Sequence, residues 1–150
     1  MSVRGNIIAA IMERLRTISG VGAVTDPGDG EALLAQHVDK HVLEVAALDD
    51  GQSPEPSNLE VWSFEVVVGV YLPTKVAGSW QAAAADICAA IYAAYAGPDV
   101  TLQQWNGLAR KTECRVMSSA VMLSDSGRRC VMHVFEVTYG HPWGNAGSAA

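Results

Sequence analysis

A chain of 150 residues, 49% hydrophobic and only 17% charged, is sized for one domain and can bury about 70% of its unfolded surface. The usual charged fraction is about 25%, so the surface is short of charge and some apolar area is expected to meet another subunit. A net charge of −6, from 16 acidic and 10 basic residues, excludes a dedicated nucleic-acid binder, because the adjacent basic pairs Arg110-Lys111 and Arg128-Arg129 are too few to track a phosphate backbone.

Three cysteines, Cys88, Cys114 and Cys130, form no paired spacing. An odd count without a secretory leader predicts reduced thiols in a cytosolic setting. The opening "MSVRGNIIAAIMERL" meets Glu13 and Arg14 too soon for a signal or membrane segment. The apolar stretch over 82–96 is broken by Asp86 and is too short to span a bilayer. A soluble protein with no membrane partner is expected.

Ile7, Ile8, Ile11, Leu15 and Ile18 share one stripe of a helix predicted over 6–18, and Gly20 and Gly22 mark its end. Asp-Pro-Gly and Asp-Gly in "VGAVTDPGDGE" are turn chemistry. Residues 31–40 are ambiguous: "EALLAQHV" fits a short helix or an irregular approach to the next strand, and the irregular or short-strand reading is preferred. A long strand is predicted over 41–48 and the strongest one over 59–72. On the latter, Trp62, Phe64, Val66, Val68, Val70 and Leu72 share one face by the two-residue period, and Val61, Ser63, Glu65, Val67, Gly69 and Tyr71 share the other. The all-apolar face belongs against helices; the mixed face is expected to be wet or covered by a subunit.

Ser79 is placed to cap a second helix through "WQAAAADICAAIYAAYA", with Ala84, Ile87, Cys88, Ile91 and Tyr95 as its inward stripe and Gly97-Pro98 as its stop. Strands are predicted over 100–105, 112–123 and 130–139, the last two joined by the turn "SDSGRR". The result is one α+β domain over 1–150 with an ordered core over about 6–142. Its mainly antiparallel sheet has about five strands, two helices packed on one face, and a long β-hairpin. The loop "DDGQSPEPSN" over 49–58 and the tail 143–150 are expected to be flexible.

The chemistry-bearing motifs are few. "PGDGE" lacks the length and the lysine of a phosphate loop, and Ser118-Ser119 has no nucleophile elbow around it. In "HVDKH", His37, Asp39 and His41 would project from one face of a strand and suit zinc, but the sequence forces no fourth ligand. Cys114 and Cys130 are expected opposite Val137 and Val121 and therefore apart. His133 shares a strand face with Val131 and Phe135 and reads as a satisfied, partly buried histidine. Trp105, Trp143 and Tyr139 read as packing or interface anchors. No acid, base and nucleophile converge, so no catalytic, metal or cofactor site is predicted.

The segments "IIAAIMERLRTISGVGAV", "VWSFEVVVGVYLP", "SWQAAAADICAAIYAAYAG" and "RRCVMHVFEVTYGHP" occur in an order and texture that resembles the tail terminator (tail completion) proteins of long-tailed bacteriophages. The likeness spans about residues 6–142 and includes no short diagnostic motif. It implies a non-catalytic virion protein assembled in the host cytoplasm. Its subunits would form a homo-hexameric ring that caps the tail tube, stops its polymerisation and offers the head-joining surface. The implied partners are other copies of the chain, the tail tube protein and a head-completion or connector protein, with DNA passing through the ring without specific binding. A closed ring needs two different patches. The expected interface residues are Asp49, Asp50 and Glu55 in the loop, read as an arm reaching a neighbour or the tube, with Val61, Glu65, Val67, Tyr71, His133, Phe135 and Tyr139 on strand faces. The alternatives are a tail tube or head-closure connector subunit, a small metal-dependent or thiol enzyme using His37, His41 or Cys114, and a dimeric binding domain.

Overall fold

The computed structural model describes residues 2–48, 51–53, 59–142, 146, 147 and 149. The fold begins with helix α1, Val3–Arg16, capped by Ser2, whose hydroxyl accepts the Gly5 N–H. Starting at Val3 rather than residue 6 adds one more buried position to the stripe. Val3, Ile7, Ile11 and Leu15 recur every four residues and are at most 1% exposed, each burial being worth about 1.5–3 kcal/mol. The chain leaves the helix through Gly20, whose φ of +84° is open to glycine at little cost.

Strand β1, Val21–Thr25, follows and pairs in parallel with β2, His41–Ala47. No strand is predicted at 21–25, because five residues without alternation run into turn chemistry and parallel pairing is a non-local contact. Between them a 3₁₀ helix, Glu31–Gln36, replaces the irregular or extended expectation for 31–40. Strand β3, Gly51–Ser53, pairs with β4, Leu59–Tyr71, beyond the end of β2, so part of the 49–58 loop is sheet. Residues 49, 50 and 54–58 lie outside the described residues, as does Trp143.

Helix α2, Trp80–Ala93, starts where expected, with the Ser79 hydroxyl accepting the Ala82 N–H. Its inward stripe of Ala84, Ile87, Cys88 and Ile91, continued by Tyr95, is at most 4% exposed. The predicted strand over 100–105 is instead a short helix α3, Val100–Gln103, capped by Asp99. A left-handed turn through Trp105 and Asn106 follows, with φ of 48° and 61°. That costly geometry is held because Trp105 is fully buried and its Nε1–H donates to Thr112 Oγ1 at 2.8 Å. Arg14 ties the helices together, donating to the carbonyls of Ala94 and Leu102 and lying over the Trp105 ring.

The closing strands are β5, Lys111–Val116, β6, Met122–Leu123, and β7, Arg129–Pro142. Five strands lie side by side in the order β1-β2-β4-β7-β5, with β3 beside β4 and β6 beside β7. Every described pairing except β1 with β2 is antiparallel. The long pairing runs from Leu59↔Pro142 to Tyr71↔Cys130. The predicted single strand over 112–123 is broken. Between Val116↔Val134 and Met122↔Cys130 the outer strand carries residues 117–121 where β7 has only 131–133, so the excess loops out as a lip. The break also shifts the register. Cys114 lies opposite Phe135 and Cys130 opposite Met122, apart from each other as expected but one or two places from the expected partners.

Candidate interaction surface

Helices α1 and α2 and the inward residues of β2, β4 and β7 form one core. The other sheet face is reached by reading the register across the strands. Glu65, Val67, Gly69 and Tyr71 on β4 stand opposite Glu136, Val134, Met132 and Cys130 on β7. On the far side of β4, Ala46 and Glu44 of β2 face Val67 and Gly69. One end of this face is roofed by the crossover from β1 to β2. A Cβ added to Gly30 would stand 2.8 Å from Glu44 and 3.1 Å from Tyr71, so the crossover lies directly on those two side chains. Val42, paired with Tyr71, is accordingly fully buried.

Arg128 fastens that roof. It is 6% exposed, and it donates to the carbonyls of Leu72 at 2.6 Å, Leu34 and His37 at 3.2 Å and Lys40 at 3.1 Å. The planar guanidinium suits this task, presenting five donors in a fixed fork. Burial lowers its pKa from the ordinary value.

Away from the roof the face is open. Glu65, Glu136 and Glu113 form a row across three strands, like charges opposite one another. The β-bulge between Cys114 and Val116 turns Arg115 onto the same face, where it bonds Glu136 at 2.8 Å and Glu113 at 3.3 Å. These bonds raise the Arg115 pKa, the Glu136 hydrogen bond first, while the Lys111 hydrogen bond leads in lowering that of Glu113.

Where the face meets the lip there is a cleft of about 190 Å³, its walls including Glu44, Tyr71, Met122, Cys130 and Met132 and its floor Gly69. Burial, then the charges of Glu44 and Glu31, push the Tyr71 phenol up to about 12, so it stays a neutral donor. Such a cleft can seat an apolar group beside one carboxylate. Around it Val116, Met117, Met122, Leu123 and Met132 are 41–64% exposed, with three flexible methionine side chains among them.

The predicted interface residues divide. Glu65, Val67 and Tyr71 are half-buried on the open face. Val61 is corrected too: flanked by β3 at Ser53 and β7 at Gly140, it is 2% exposed and offers almost no surface to a partner. His133, Phe135 and Tyr139 are corrected: they are at most 4% exposed and belong to the core side. Their partners explain it, since Val68, Val66 and Trp62 lie opposite them and directly paired residues share a face. The even-numbered β7 residues Met132, Val134 and Glu136 face outward instead. Asp49, Asp50 and Glu55 lie outside the described residues.

His133 is fully buried and fully engaged. Its Nδ1 is 2.7 Å from the Met117 carbonyl, which can only accept, so Nδ1 carries the proton. Nε2 is then bare and accepts from the Tyr95 hydroxyl at 2.7 Å. The pair stitches the lip to the turn that follows α2. No short motif announces it, because Tyr95, Met117 and His133 lie on three different segments.

The zinc reading of "HVDKH" fails on conformation. His37 follows the 3₁₀ helix, Asp39 lies in a turn, and His41 opens β2 with Nδ1 3.2 Å from the Gly20 carbonyl. Among the described residues no group of three His, Cys, Asp or Glu is placed to hold a metal ion. Nor is any described helix long and apolar enough to cross a membrane. No protein-family model matches this chain, and no curated protein sequence matches it significantly.

Proposed function

We propose that this chain is a ring-forming structural subunit of the tail terminator kind, capping a tail tube and offering the surface to which a head-completion or connector protein binds. The supporting observation is the one-sided covering of the sheet. Helices pack on one face, while the other ends at the lip in a rim of exposed Val116, Met117, Met122 and Met132, with exposed Leu123, paired with Arg129, on the reverse side of the same edge. Exposed apolar area of this kind marks interaction sites. A head-to-tail ring needs a second, different patch, and exposed Tyr92 and Val100 on the helical side supply one. The net charge of −6 suits a lumen that lets DNA pass without holding it. Electron micrographs of the purified protein, alone and with tube protein, test this reading. Closed rings, free or on tube ends, are the expected result. Long filaments of the protein alone would favour a tube subunit, and separate single particles with no tube-end density would overturn the reading.

A further inference from the structure

Strand β1 ends the sheet on one side and, among the described residues, pairs only with β2. Its outer edge opens into a groove of about 330 Å³ that follows all five of its residues, with Arg16 of α1 and Leu33 of the 3₁₀ helix also lining it. An edge strand presents main-chain N–H and C=O groups outward. The Val24 carbonyl is one of them: Arg16 Nη2 donates to it at 3.4 Å, a long bond. In a strand the N–H and C=O of one residue project to the same side, so the Val24 N–H points outward too. The two sheet edges are guarded differently. Strand β5 carries Lys111, Glu113 and Arg115 and a bulge, all of which discourage edge pairing, while "VGAVT" has neither charge nor proline.

We propose that the β1 edge binds an extended, acid-bearing peptide segment of a partner protein, added to the sheet as a further strand. The outward Val24 groups call for main-chain hydrogen bonding. Arg16 stands where an incoming N–H would donate. Turned aside, its guanidinium meets a carboxylate, and Leu33 receives an apolar side chain. Strand β1 of a second copy is the poorer occupant, since it has no acid to offer Arg16. This edge is separate from the open face and lip, so the inference does not depend on ring formation.

The probe is the synthetic peptide acetyl-Ser-Val-Glu-Val-Thr-Lys-amide, titrated into isotope-labelled full-length protein and followed by NMR. Amide shifts are expected to centre on β1, Arg16 and Leu33, with Val24 amide exchange slowed about tenfold at ten times Kd. Replacing the peptide Glu by Gln is expected to weaken binding about two- to fivefold. In an Arg16→Ala protein the two peptides should bind equally. Arg16 is exposed, so that variant keeps the fold. No β1 shifts at millimolar peptide, shifts centred elsewhere, or a Glu/Gln difference that survives Arg16→Ala would overturn the proposal. So would β1 shifts that grow with protein concentration alone, which would assign the edge to a second copy.

Discussion

Arg128→Ala is expected to lower the stability of this protein by about 3–5 kcal/mol, as measured by urea unfolding. The substitution removes a buried cation and its bonds to the carbonyls of Leu72, Leu34, His37 and Lys40, leaving Leu34 and His37 only the N–H groups of His37 at 3.2 Å and Lys40 at 3.4 Å. Water can reach some of them only by lifting the crossover off Tyr71 and Glu44. Arg128→Lys is expected to recover less than half of the loss, because one ammonium cannot reproduce the fork that meets several carbonyls at once. Hydrogen exchange locates the damage: amides over 31–41, with Thr74, whose N–H and hydroxyl both bond the Val38 carbonyl, should lose protection first. A loss below about 1 kcal/mol would mean that the roof reseats without its clasp.

Acid is expected to weaken the fold well before the carboxylates titrate. Burial depresses the pKa of His133, and the Met117 hydrogen bond only partly opposes it; burial likewise lowers His41. A histidine held neutral in the fold leaves the unfolded chain as the better proton acceptor. Stability is therefore full above about pH 6.5, falls as the pH drops below it, and levels off under the folded pKa. The slope cannot exceed about 1.4 kcal/mol per pH unit for each histidine. Unfolding measured between pH 7.5 and 5 should show this slope, and a His133→Gln variant should lose its share while His41 keeps its own. Tyr95→Phe should cost about 1–3 kcal/mol at neutral pH by leaving Nε2 without a donor, and should flatten the acid limb, because water or a proton then meets the bare nitrogen more easily. A flat profile in the wild type would contradict the neutral, doubly bonded imidazole.

How much of this was legible in the sequence follows from which contacts are local. The α1 stripe, the Ser79 cap and the alternation on β4 are patterns of neighbours, and each is present in the fold. The inward face of β7 was equally local, since Val131, His133, Phe135, Val137 and Tyr139 alternate cleanly. Assigning three of them to an interface confused an apolar face with an exposed one. Their register against Val70, Val68, Val66, Phe64 and Trp62 decides the matter, and register is set across the sheet. Residues 100–105 are predicted as a short strand, but Asp99 caps a helical turn and Trp105 then turns left-handed into the core. The lip, the Arg128 clasp and the Tyr95–His133 pair were out of reach, because each joins segments far apart in the chain. The open face was readable in one respect: Glu65, Val67 and Tyr71 lie on the face that helices do not cover.

The central claim is that the rim beside this open face is a subunit contact, and light scattering of the purified protein against a Met122→Asp, Leu123→Asp variant tests it most directly. Both side chains are exposed, at 63% and 64%, so the fold should survive the substitutions. The wild type is expected to give the mass of a closed ring, about six times the 15.9 kDa chain, unchanged on dilution, and the variant to fall to the single-chain mass with the same circular dichroism. A wild type that stays at 15.9 kDa at every concentration and forms no ring on tube ends, or a variant that assembles as the wild type does, would contradict it.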